Sequence, residues 1–183
     1  RRHLKDARDL AERESHLGEL RDRAAKAEAL VTEYEKWIQE TEAKINSIAQ
    51  IRRDMDQAAA TFMTEATKYL NAQEKRQQEE IKNGADPEKL LERATKITTT
   101  HALMEAGNTI RLASFKAQAL KDSRGLQEAK GRFKGVHDKI EALKPLTHTK
   151  ENSDQLATTK KAADAYLNAM DAILSNWVAL DKA

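Results

Sequence analysis

The chain has no cysteine, which rules out a disulfide framework, thiolate metal sites and a cysteine nucleophile, and leaves cytoplasm and periplasm equally open. Only 2 prolines and 6 glycines interrupt its 183 residues, too few for the many turns a strand-rich fold requires. Aromatic residues make up 4%, so each can be placed individually. Neither sign of charge dominates. The 32 Lys and Arg stand against 30 Asp and Glu for a net charge of +2, and the two signs are mixed along every segment, without the basic stripe that follows a phosphate backbone. Nucleic acid is therefore not an expected partner. No apolar run reaches the roughly 20 residues that cross a bilayer, and the opening Arg1-Arg2-His3 is not that of a signal peptide.

What fills the chain instead is Ala, Glu, Lys, Arg, Gln and Leu, residues that cost little in a helix interior, so the expected class is all-α. Two strong breaks divide it. At Asn83-Gly84-Ala85-Asp86-Pro87, Gly84 suits a left-handed helix stop, Asp86 an N-cap and Pro87 the first helical position. At Lys144-Pro145-Leu146-Thr147, Pro145 forbids continuation, and Asn152 with Gln155 three residues on has the spacing of a capping box. Weaker breaks lie at Asp122-Ser123-Arg124-Gly125 and near Ser15 to Gly18. The helices expected are about 1–14, 16–82, 86–121, 123–144 and 152–183.

The longest of these carries an alternation of threes and fours through Val31, Tyr34, Ile38, Thr41, Ile45, Ile48, Arg52, Met55, Ala59, Phe62, Ala66 and Tyr69, the pattern of a bundle seam. At 1.5 Å per residue it would be on the order of 100 Å long, so an elongated antiparallel bundle is expected. The next helix has the same pattern through Leu90, Ala94, Ile97, His101, Met104, Asn108, Arg111 and Phe115, and the last through Leu156, Thr159, Ala163, Tyr166, Met170, Ile173 and Trp177. The last helix, about 48 Å, is too short to line the longest. Leu4, Ala7, Leu10 and Ala11 read as the end of a helix whose start is missing, and the natural domain is expected to extend beyond this chain at both ends.

Within these seams, His101, Asn108 and Arg111 stand where Leu or Ile would stabilise a bundle better, and each needs a partner if buried. Counting from the turns puts Arg52 at about the height of Arg111, and two inward cations at one level suit a dianion. Phe115 is a candidate pocket wall. From the residues alone, ligand contact and a structural polar layer account for this cluster equally well. Lone seam arginines usually extend outward to pair with glutamates. Trp37, Trp177, Phe62 and Phe133 read as core or subunit contact. His101 with Glu105 and His137 with Glu141 have metal-ligand spacing but no convergent third ligand, so no metal or cofactor is expected. No glycine-rich phosphate loop or nucleophile elbow is present, and Ser114 carries no triad signal, so an enzyme is not expected.

The arrangement resembles the helical bimodular sensor domains of bacterial methyl-accepting chemotaxis receptors and related sensor kinases. The most specific stretch is Ala106-Gly107-Asn108-Thr109-Ile110-Arg111-Leu112-Ala113-Ser114-Phe115, similar to the family's fourth-helix motif, and Glu33-Tyr34 and Ala165-Tyr166 echo each other as duplicated halves would. The resemblance implies two stacked four-helix-bundle modules built from six helices, of which this chain covers the end of the second, the third to the fifth, and the first half of the sixth. It implies a periplasmic domain of an inner-membrane protein, paired as a homodimer, that binds a small organic acid between helices and signals by helix displacement. It also implies ligand contact for Arg111, Asn108, Arg52, His101 and Phe115. The family's first helix, which supplies further ligand-binding arginines, lies outside this sequence. The alternative is a structural or scaffolding coiled-coil rod with no small-molecule ligand, which would have no use for a polar seam.

Overall fold

The computed structural model describes residues 2–14 and 18–180, and among them the fold is all-α with no strand. In chain order the helices are α1 (Arg2–Arg13), α2 (Gly18–Lys82), α3 (Pro87–Leu120), α4 (Ser123–Gly131), α5 (Phe133–Leu143) and α6 (Lys150–Leu180), with a 3-10 turn at Lys144–Leu146 before α6. The expected break near Ser15, the start of the long helix at His16 and the last three residues lie outside the described residues. The chain divides into two compact units, Arg1–Ser47 with Leu180–Ala183, and Ile48–Ala179.

The helix ends follow local chemistry. Gly84 takes φ +66, and the Ala85 N–H donates to the Glu80 carbonyl at 2.9 Å, which closes α2 in a left-handed cap. Pro87 then opens α3 behind Asp86, whose side chain makes no cap hydrogen bond. α3 stops at Lys121, a non-glycine residue at φ 52, where the Asp122 N–H reaches back to the Ala117 carbonyl at 2.8 Å. Asp122 caps α4 by accepting from the Gly125 N–H at 2.9 Å.

Two boundaries differ from the sequence expectation. The helix expected over 123–144 is divided at Arg132, where N–H groups bond three residues back, Arg132 to Ala129 at 3.2 Å and Gly135 to Arg132 at 3.0 Å. Gly131 and Gly135 on either side weaken the helix at that point. α6 begins at Lys150, two residues before the expected cap. Asn152 is therefore inside the first turn and buried, with no partner for its Oδ1, as is Gln155 Oε1, and no capping box forms.

In the unit Ile48–Ala179, the later part of α2, α3, the α4–α5 leg and α6 enclose one core. Met55, Phe62, Tyr69, Leu103, Ile110, Leu126, Phe133, Ile140, Leu143, Leu156, Tyr166, Met170 and Ile173 are its large members. Pairs across the helices tie it together: Arg52 with Gln118 at 3.1 Å, His137 with Asp164 at 2.7 Å, and Tyr69 with Thr147 at 2.8 Å. Trp177 packs against this core. In the other unit α1 lies on the start of α2, joined by Arg8 to Glu28 at 3.1 Å, with Ala24 buried beneath it. Farther along α2 the seam is uncovered: Leu30, Tyr34, Trp37, Ile38 and Ile45 are 47–65% exposed.

α3 keeps the alternation of threes and fours but in a different phase. Its buried positions are Arg93, Lys96, Thr100, Leu103, Ile110, Ser114, Ala117 and Gln118. Ala94, Ile97, His101, Met104, Arg111 and Phe115 each lie one position C-terminal to a buried residue, a rotation of about 100°, whereas Leu90 and Asn108 do not.

Candidate functional site

Five small residues open a cleft inside this core: Ala58 and Ala59 on α2, Gly107 on α3, and Ala162 and Ala163 on α6, with Phe62 and Phe133 as walls. Gly107 is required by its neighbour, since a Cβ there would sit 2.5 Å from Phe62 Cε1. The cavity volume is about 30 Å³, room for a water or two at about 10–15 Å³ each.

Three polar side chains meet at this cleft. Asn108 and Arg111 line it from α3 and Tyr166 from α6. Tyr166 is 5% exposed, and its hydroxyl is buried without a hydrogen-bond partner. Burial raises the phenol above its ordinary pKa, a rise eased by nearby Ser114 and by the charge of Arg111. Ser114 falls outside full hydrogen-bond geometry with Tyr166, and its oxygen already accepts from Gln118 Nε2 at 3.0 Å. Near neutral pH Tyr166 is therefore an uncharged donor that completes no hydrogen bond within the described residues, with Ser114 the hydroxyl nearest to it. Arg111 is exposed; its guanidinium carbon stands 5.9 Å from the Phe115 ring centroid, and among the described residues it makes no ion pair. Asn108 is half-buried and its side chain makes no hydrogen bond within the described residues.

The other expected site residues fall elsewhere. Arg52 and Phe115 border a separate open hollow of about 220 Å³ with Asp56 and Gln118. Arg52 spends its Nε on Gln118, seven residues and about 10 Å along α3 from Arg111. The α2 residues that line the cleft with Arg111 are Ala58, Ala59, Phe62 and Met63. Phe115 is 46% exposed. The His101 side chain is 59% exposed, 3.9 Å from Glu74, and borders neither space. The reason is the phase of α3: the face bearing His101, Arg111 and Phe115 is turned toward solvent, and only Asn108 stays at the edge of the core.

His137 pairs with Asp164 rather than Glu141. Burial works to raise the Asp164 pKa, but hydrogen bonds from Lys160 and His137 carry it below the ordinary value. Among the described residues no three His, Cys, Asp or Glu side chains are grouped to hold a metal. Tyr166 is the site residue that the seam pattern hides, because it reads as one more core aromatic. The signal available was its setting, a large polar-tipped ring among Ala162, Ala163, Ala58 and Ala59.

No protein-family model, no curated protein and no solved structure matches this chain.

Proposed function

We propose that the chain is an extracytoplasmic ligand-sensing domain, with the helical bimodular architecture of bacterial chemoreceptors and sensor kinases, that binds a small organic acid at the Asn108–Arg111–Tyr166 cleft. The observation that carries this reading is the convergence at one cleft of three polar groups that complete no hydrogen bond or ion pair within the described residues: the Tyr166 hydroxyl, the Asn108 amide and the Arg111 guanidinium. A carboxylate matches all three, because it accepts from a phenol, an amide N–H and a guanidinium at once. An unsatisfied buried hydroxyl costs roughly 1–3 kcal/mol, which a ligand would recover.

The cavity of about 30 Å³ is too small for an organic acid as it stands. Binding must part α3 and α6 from α2, and that displacement is the signal, since a ligand shifts a conformational equilibrium only through its differential affinity for the two states. In this reading the parent protein is anchored in the inner membrane, the domain faces the periplasm, and the output is chemotaxis or kinase control. No helix among the described residues is long and apolar enough to cross a membrane, so the anchor belongs outside them.

The second reading, a scaffolding rod, is favoured by the exposed stripe Leu30, Tyr34, Trp37, Ile38 and Ile45, an apolar helix face of the kind that pairs with another helix. Thermal denaturation with a panel of organic acids separates the two. An acid that binds the folded state raises the midpoint by mass action, by about 2.7 kcal/mol of stabilisation at a hundred times its Kd. No shift with any acid supports the rod.

A further inference from the structure

Away from the cleft, the end of the same bundle beneath the Lys144–Leu146 turn has a polar interior. Gln73 is fully buried, Lys96 is 3% exposed, Arg93 8% and Asn152 3%. The charges there are matched: Arg93 forms a two-pronged pair with Glu80, with Nη2 to Oε1 at 2.7 Å and Nε to Oε2 at 3.1 Å, and Lys96 Nζ reaches Glu92 at 2.5 Å. The neutral groups are not matched. Gln73 presents its Oε1 to Arg93, which fixes the orientation of the amide and leaves Nε2 buried with no acceptor. Thr149 Oγ1, Asn152 Oδ1 and Gln155 Oε1 are likewise buried and unpartnered.

The three acceptor-bearing residues are spaced by three, Thr149 immediately before α6 and Asn152 and Gln155 within it, and so lie on its inward side. Gln73 stands at their level. Phe62 and Ala163 meet at the cleft, and eleven residues along each of the two antiparallel helices lead to Gln73 and to Asn152. Among the described residues, no side chain of 150–155 forms a hydrogen bond or ion pair with α2 or α3. The first apolar anchor of α6 is Leu156, 4% exposed.

We propose that the first turns of α6, through Gln155, form a gate that opens onto this polar layer while the rest of the bundle stays closed. Two opposing facts define the gate. Closing it strips water from four neutral polar groups that gain no hydrogen-bond partner among the described residues, and no apolar side chain precedes Leu156 in α6 to hold it shut. Water enters on opening and pairs with Gln73 and Asn152, so the gate works whether or not the cleft binds an acid.

Native-state hydrogen exchange on the complete chain, without ligand, tests this. The amides of 154–158 are expected to exchange at least a hundredfold faster than those of Ile110, Ile140 and Ile173, through an opening with little dependence on denaturant. Equal protection of the two groups overturns the proposal. A second arm separates the gate from ordinary fraying of a helix end, which does not depend on what lies beneath. In the Gln73→Leu, Asn152→Leu double variant, protection at 154–158 is expected to rise tenfold or more, with that at Ile173 unchanged. Unchanged or lower protection at 154–158 in that variant also overturns it.

Discussion

Gly107→Ala is the substitution whose outcome the packing determines most sharply. In an exposed helix interior the change would stabilise by about 0.8–1 kcal/mol, because alanine loses less backbone entropy than glycine. Here the new methyl would lie 2.5 Å from Phe62 Cε1, 3.1 Å from Cζ and 3.2 Å from Cδ1, all well inside contact distance. Phe62 is 6% exposed and held on its other sides by the core, so its ring moves only by leaving its rotamer or by pushing into the cleft. Overpacking of this kind costs typically about 1–3 kcal/mol. Set against the helical gain, the net effect is a destabilisation of about 0–2 kcal/mol, and the cleft is partly filled by the displaced ring. Urea unfolding followed by circular dichroism reads the first consequence and acid binding the second. A variant stabilised by the full helical increment, with its cleft unaltered, would show that Phe62 does not pack on Gly107 and that the cleft geometry derived from that contact is wrong.

Tyr166→Phe removes the unpartnered hydroxyl and should leave the ligand-free protein equally stable or up to about 1 kcal/mol more stable, with weaker acid binding; a loss above 2 kcal/mol in urea would mean the hydroxyl is paired in solution. The hydrogen bond from Arg93 holds Glu80 below its ordinary pKa of 4.5, so the unfolded chain takes up a proton there before the folded one. The stability this pair contributes is present above about pH 4.5 and lost as pH falls through the depressed folded value. Glu80→Gln should flatten that part of the stability–pH curve, and an unchanged acid limb would place the sensitivity elsewhere. The uncovered stripe on α2 should pair the domain as a homodimer, so sedimentation should show reversible association that Trp37→Glu with Ile38→Glu abolishes; a strict monomer at all concentrations refutes it.

The breaks at 83–87 and 122–125 were legible in the sequence because each is local chemistry, whereas the division at Arg132 and the start of α6 at Lys150 were not. Gly84 and Pro87 mark a stop and a start whatever surrounds them, and the Asp122 cap needs only Gly125 three residues on. The phase of α3 was not legible in the same way. Two candidate stripes run side by side, one through Ile97, Met104 and Phe115, the other through Lys96, Leu103 and Ser114. Composition favours the first, yet tertiary packing buries the second: Arg93 finds a carboxylate in Glu80 of α2, which α3 taken alone does not reveal, while Lys96 is neutralised within α3 by Glu92, four residues before it. That one-residue rotation carries Arg111, His101 and Phe115 outward. Asn108 and Arg111 still reach the cleft, Asn108 from the helix edge and Arg111 from the rim. Arg52 was misplaced by two turns because counting from turns accumulates the error of each helix end. That the Tyr166 hydroxyl is buried without a full hydrogen bond is a property of three dimensions alone.

Calorimetric titration of wild type and Arg111→Ala with the best acid from the thermal panel tests the central claim most directly. Arg111 is a rim residue at the cleft, so its loss removes a charge-assisted hydrogen bond of about 1.5–3 kcal/mol, a weakening of roughly tenfold to a hundredfold, while the ligand-free variant melts with wild type because the guanidinium pairs with no carboxylate. Binding as tight in the variant as in wild type, or unfolding of the variant without ligand, would contradict the assignment of this cleft as a carboxylate sensor.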